Sequence, residues 1–151
     1  MKRPYLLALL FIVFSFSCKR SSPVETIPEE RAGDPCGKAV KANASDFETA
    51  PTDPFIITDA SVSGDCLTVT LGLSSACAEP AIEVLHAPSG AAVYPPQHHL
   101  KIALLYGSDC AMPGSKTYSF DLYPIRQKGT NKISLNISGS KGYYKTLLYS
   151  Y

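Results

Sequence analysis

The chain has 151 residues, with 14 Lys and Arg against 13 Asp and Glu, 45% hydrophobic residues and five cysteines. Balanced charge leaves no electrostatic footprint for nucleic acid, and the length suits one hydrophobic core rather than two. At the N-terminus, Met1-Lys2-Arg3 is positive and Leu6 to Phe16 is an unbroken apolar run. That run is about a dozen residues, short of the ~20 that a membrane-spanning helix needs. It ends in Ser15-Phe16-Ser17-Cys18, with small residues where a signal peptidase cuts. Residues 1–17 are therefore expected to be a removed signal peptide rather than a retained anchor. Cleavage there leaves 134 of the 151 residues and, without Lys2 and Arg3, 12 basic against 13 acidic side chains.

Cysteine parity bears on where the cut falls. Five cysteines would leave one stray thiol in an oxidising compartment. If Cys18 becomes a lipidated N-terminus, Cys36, Cys66, Cys77 and Cys110 remain as an even set. The segment before Cys18 resembles the bacterial lipobox, which implies lipidation of Cys18 and membrane attachment through that lipid. It departs from the usual pattern in having Ser15 where Leu is common. An ordinary signal peptidase could use the same Ser-x-Ser, and the odd cysteine count argues against that reading.

Residues 18–52 read as a lipidated tether. KRSSPVETIPEERAGDPCGK has scattered charge, three prolines and almost no aliphatic periodicity, a composition that buries no core. Residues 53–151 change to short alternating runs. Seven strand candidates fall at about 54–60, 66–73, 81–86, 100–106, 116–122, 131–137 and 142–149. In 66–73, Leu67, Val69, Leu71 and Leu73 share one face, while Thr68, Thr70 and Gly72 share the other. Leu100, Ile102, Leu104 and Tyr106 share a face, as do Tyr118, Phe120 and Leu122. Gly-containing turns at 63–65, 88–90, 128–130 and 138–140 separate the runs. This pattern predicts an all-β fold, an immunoglobulin-like two-sheet sandwich of about seven antiparallel strands.

The four remaining cysteines lie 30, 11 and 33 residues apart in sequence order. No close Cys pair of the zinc-binding kind is present, so disulfides are expected and no metal site is. Cys66 and Cys77 bracket one extended strand, tens of ångströms long at ~3.3 Å per residue, whereas bridged Cα atoms lie within about 7 Å. In an antiparallel meander, Cys77 and Cys110 leave their strands at one end and Cys66 lies at the other. That order predicts Cys77–Cys110 and Cys36–Cys66.

Within residues 66–126, the segments SSACAEPAIEV, LKIALLYGSDC and YSFDLYPIR resemble small cell-envelope lipoproteins of Bacteroidota-type bacteria, the NigD-like group. The shared pattern is a Cys after a strand, an Asp-Cys after a later strand and a Phe-Asp-Leu strand ending near a Pro. The resemblance implies a β-sandwich of mostly unknown function. Pro80 stands where a His is expected three residues after the first of these cysteines. In such bacteria an acidic run after the lipidated cysteine accompanies surface export. Lys19-Arg20 follows Cys18 here, which implies an outer-membrane location facing the periplasm.

Chemistry-bearing residues were weighed against structural roles. His98 and His99 are adjacent, so in a strand they point to opposite faces and do not share one ion. His86 has the parity of Ile82 and Val84, which suggests the edge of the core. Ser138-Gly139-Ser140-Lys141 matches a Ser-x-x-Lys pattern without its companion elements and sits in a turn. Gly33 to Lys38 lacks phosphate-loop spacing. Asp53, Asp59, Asp65 and Asp109 fall in turns or at strand exits, where Asp bonds locally, and Asp121 points away from the Phe120 face. Tyrosine is abundant, and strand preference accounts for most of it.

No catalytic residues and no cofactor are expected. The predicted function is a non-catalytic cell-envelope lipoprotein that binds a protein or glycan, with the loop 87–99, His98, His99, Tyr143 and Tyr144 as its contact surface. The rival is an inhibitor or immunity-type protein that blocks an enzyme or toxin in the envelope.

Overall fold

The structure, a computed structural model, describes residues 36–107, 110–140 and 144–151. The expected signal peptide, Cys18 and the first part of the expected tether lie outside them. One sheet has the order β1 (Lys38–Ala39), β6 (Gly114–Asp121), β3 (Cys66–Leu73) and β2 (Phe55–Ser63). The other has β4 (Ala81–Pro88), β5 (Gln97–Leu105), β7 (Lys132–Ser138) and β8 (Tyr144–Ser150). All seven strands read from alternation are present, and β1 is additional.

Alternation is what closes the sandwich. In β3, Leu67, Val69, Leu71 and Leu73 face the second sheet and are buried, and Leu100, Ile102 and Leu104 of β5 meet them from the other side. Ile133, Leu135 and Ile137 of β7, with Tyr149 of β8, complete that inner layer. Each such aliphatic contributes roughly 1.5–3 kcal/mol by leaving water. Outward positions of β3 and β6 carry hydroxyls that bond across strands, as in Thr70 with Thr117 at 3.0 Å.

The sheets are mixed, whereas the strand pattern had suggested antiparallel pairing throughout. β1 runs parallel to β6, and β5 parallel to β7. Between β5 and β7 the chain descends as β6 in the opposite sheet. It therefore re-enters its own sheet from the end where β5 began. Alternation along a strand carries no information about the direction of its neighbour.

Both disulfides have the expected partners: Cys36–Cys66 with Cα atoms 5.2 Å apart, and Cys77–Cys110 at 6.2 Å. The meander used to reach them does not occur, because β3 and β4 lie in different sheets. Strand direction still alternates through β3, β4 and β5, so Cys77 and Cys110 leave at one end and the same pairing results.

Residues 36–52 do not trail from the fold. They belong to the same compact unit as the strands. Gly37, at φ 88°, turns the chain from Cys36 into β1, and a Cβ there would lie 2.8 Å from the Ser119 carbonyl oxygen. Beyond β1 the chain changes sheets. The Lys41 amide donates to Val84 and the Ala44 amide to His86, both on the outer edge of β4. Lys101 Nζ donates to the carbonyls of Glu48 and Ala50, and the Asp53 amide donates to Leu104 on the other side of β5. Residues 44–53 thus form a strap across the second sheet.

Candidate functional site

A cleft of about 420 Å³ opens where β4 ends and β5 begins. Three segments wall it: residues 42–43 just before the strap, the loop between β4 and β5, and the 3-10 turn Tyr123–Ile125 with the two residues after it. Pro88, Pro96, Pro124, Ala91, Ala92, Val93 and Ile125 make up the apolar part of the walls, and the prolines restrict the backbone that shapes them. His86, His98, Gln127, Asn43, Ser89 and Arg126 supply the polar lining.

His86 and His98 occupy the inward parity of their strands, two residues beyond Val84 and two before Leu100. Each is therefore carried to the end of the core and buried, at 3% and 5% exposure. Their rings stack with centroids 4.8 Å apart, and His86 Nε2 lies 2.7 Å from His98 Nδ1. Neighbouring groups fix the protons. The Asn43 backbone N–H donates to His86 Nδ1 at 3.2 Å, so that nitrogen carries no hydrogen. Neutral His86 then bears its proton on Nε2 and donates to His98 Nδ1. His98 in turn bears its proton on Nε2 and donates to Gln127 Oε1 at 3.2 Å. The chain of donors runs one way, from the Asn43 backbone into the cleft.

Burial and the neighbouring imidazoles His98 and His99 hold His86 down to about 4. His98 is also lowered, by burial first, against the opposing bond from Gln127. Both rings are neutral near pH 7, and protonating either at its acceptor nitrogen would break a bond in the chain.

Beside the cleft, Arg126 is held by a second cluster. Its Nη2 and Nε donate to Asp65 Oδ1 at 2.5 and 3.2 Å, and Nε lies 3.0 Å from the Tyr149 hydroxyl. That hydroxyl donates to the same carboxylate oxygen at 2.5 Å. Burial, with the Asp65 bond, pushes the fully buried Tyr149 phenol up. The guanidinium also lies over the rings of Tyr123 and Tyr151, at 4.9 and 5.0 Å. Tyr151 pins the turn by accepting from the Gln127 amide at 2.8 Å. Much of the tyrosine content is thus spent on holding this corner.

Of the residues expected to form a contact surface, the two described histidines do not share a face. His98 is buried on the cleft floor, whereas His99 is exposed and faces away on the outer side of β5. Tyr143 lies outside the described residues. Tyr144 starts β8, distant in register from the cleft, opposite Ser138. The loop 87–99 does line the cleft. The acids have structural roles: Asp53 accepts the Tyr106 amide, Asp59 pairs with Lys145, and Asp121 accepts the Tyr123 amide. Ser140 bonds both backbone groups of Phe55 on β2 and so clamps an edge. Among the described residues no three His, Cys, Asp or Glu side chains cluster as metal ligands would. Sequence reasoning missed Gln127 and the His86–His98 pair.

No family model matches the chain, and no curated protein matches it. Two solved structures share its fold. A protein of unknown function DUF1344 from Bacteroides vulgatus is 17% identical with a TM-score of 0.50, over 76% of this chain and 57% of that one. A putative toxin related protein from Parabacteroides distasonis is 17% identical with a TM-score of 0.52, over 75% and 60%. The chain spans less than two thirds of either neighbour. The class defined is an all-β sandwich of two mixed four-stranded sheets with two disulfides. Its two similar structures come from Bacteroides and Parabacteroides.

Proposed function

We propose that this protein is a non-catalytic cell-envelope lipoprotein of the NigD-like kind, held by lipid on Cys18 at the periplasmic face of the outer membrane. Its domain binds an extended group of a protein or glycan in the cleft between the β4–β5 loop and the 123–127 turn. The observation that carries this reading is the cleft, whose proline-bearing walls and fixed polar floor suit a preformed binding site. A proton-transfer role is disfavoured. A base held down to about 4 has little proton affinity at neutral pH, and its Nδ1 is tied to a backbone amide instead of a carboxylate. The rival reading, an inhibitor that blocks an enzyme or toxin, draws on the same loop, where Tyr94 and Val93 are 71% and 46% exposed.

Two measurements test it. Cys18→Ser should move the protein from the membrane to the soluble fraction, because a chain without its lipid has nothing to bury in the bilayer. Ala92→Trp should fill the cleft from an exposed wall position and abolish retention of envelope components on the immobilised mature protein. Retention unchanged by Ala92→Trp, with Tyr94→Ala abolishing it, would transfer the reading to the inhibitor. Retention unchanged by both would remove the binding function.

A further inference from the structure

We infer that the cleft recognises a carboxylate on a small apolar body, such as the C-terminus of a short peptide, and that the Gln127 side chain occupies the carboxylate's place until it binds. The inference rests on the cleft being the working site and adds the chemistry of its ligand.

First, the hydrogen-bond chain has a fixed direction. Because Asn43 fixes the proton of His86, and His86 fixes that of His98, the floor presents one N–H, at His98 Nε2. It cannot turn into an acceptor without breaking both bonds behind it. The floor therefore selects ligands by an acceptor atom.

Second, that N–H already has a partner. Gln127 Oε1 lies 3.2 Å away, at the long end of the N–H···O range. The residue is exposed, and its backbone is anchored independently by Tyr151. Its side chain can leave for water without disturbing the turn, at little cost because an exposed amide keeps its hydrogen bonds. A buried donor that ends on a displaceable neutral amide is suited to exchange that amide for a better acceptor.

Third, among the described residues that line the cleft there is one cation, Arg126, and no Asp or Glu. Asp65 and Tyr149 engage its Nε and Nη2, and among the described residues Nη1 has no partner. A carboxylate that accepts from His98 Nε2, in a cleft that Arg126 also lines, would make a charge-assisted bond, about twice as strong as a neutral one. A neutral carbonyl gains less. The proline, alanine and valine walls accept small apolar side chains, and about 420 Å³ admits two or three such residues.

The test is calorimetric titration of the mature protein with N-acetyl-Ala-Ala as the free acid and as the terminal amide, with the histidine ring signals followed by NMR. The acid should bind at least ten-fold tighter than the amide and shift the His98 ring signals. Gln127→Ala removes the competing amide and should tighten the acid several-fold. Gln127→Glu places a tethered carboxylate on His98, so it should weaken the acid at least ten-fold and raise the titration midpoint of the ring. Equal binding of acid and amide, no binding of either, or undiminished acid binding to Gln127→Glu would overturn the inference. Should the probes fail while Ala92→Trp still abolishes envelope retention, the ligand chemistry is wrong and the cleft remains the site. Should Ala92→Trp leave retention intact, the function itself is wrong.

Discussion

Lowering the pH from 7 to 4 should destabilise this domain, chiefly through one buried residue. In the unfolded chain His86 titrates near 6.5, and in the folded protein it is held down to about 4. The native state therefore binds fewer protons than the unfolded state between these values. Stability is fully present above the unfolded value, falls as pH drops through 6.5, and levels off below about 4. A shift of two to three units at about 1.4 kcal/mol per unit gives a loss of roughly 3 kcal/mol. That is a large part of the 5–15 kcal/mol typical of a domain. His98, also lowered, adds to the loss in the same direction. Exposed carboxylates act in a different window. Asp46, Asp59 and Glu79 are lowered by bonds from Lys41, Lys145 and Lys116, so what they contribute goes as pH falls through the acid range below 4.

Urea midpoints at pH 7.0, 5.5 and 4.5, with disulfides intact, measure the slope. In the His86→Leu/His98→Leu variant both rings are gone, and Gln127, being exposed, finds water. The variant should lose its pH dependence between 6.5 and 4.5 whatever its absolute stability. Equal slopes in the native and double-leucine proteins would show that the pair is not buried as a neutral unit, and the proton assignment in the cleft would fall with it.

Three other substitutions probe the frame. Tyr149→Phe removes the buried hydroxyl that donates to Asp65 and should cost about 1–3 kcal/mol in urea unfolding. Gly37→Ala places a methyl 2.8 Å from the Ser119 carbonyl at φ 88° and should cost about 1–3 kcal/mol, with a lowered Tm as readout. Replacing Cys36 and Cys66 together by Ser opens a loop of sequence separation 30 and should cost about 3–4 kcal/mol by the chain-entropy account, read by the same titration.

What was legible in the sequence follows from what leaves a pattern in side chains. The seven longer strands were readable because each must place apolar residues on one face, as Leu67, Val69, Leu71 and Leu73 do. The disulfides were readable because Cys66 and Cys77, at opposite ends of one strand, cannot meet, and alternating strand direction brings Cys77 to the end where Cys110 leaves. The strap was not. Residues 44–53 are held through backbone groups and by Lys101 reaching the carbonyls of Glu48 and Ala50. Such bonds need no particular side chain in the segment they fix, so the composition there resembles a tether.

The His86–His98 pair was half legible. Carrying the inward parity of Val84 on by two residues reaches His86, and carrying that of Leu100 back by two reaches His98. Alternation alone thus places both rings on the core side at strand ends. Whether they touch depends on the register of β4 against β5, in which Pro88 lies opposite His98 and His86 opposite Leu100. A slip of one residue would turn one ring to the outer face, and a slip of two would separate the rings along the ladder by about 7 Å. Register is fixed by the whole inner layer and by the loop 89–96, whose length and prolines admit several closures. Gln127 is further from inference, because it arrives from the opposite sheet after β6. The chain of donors from Asn43 to Gln127 therefore joins three segments that no local pattern relates. A mutational shift of the β4–β5 register would break it at once, even where the core remained packed.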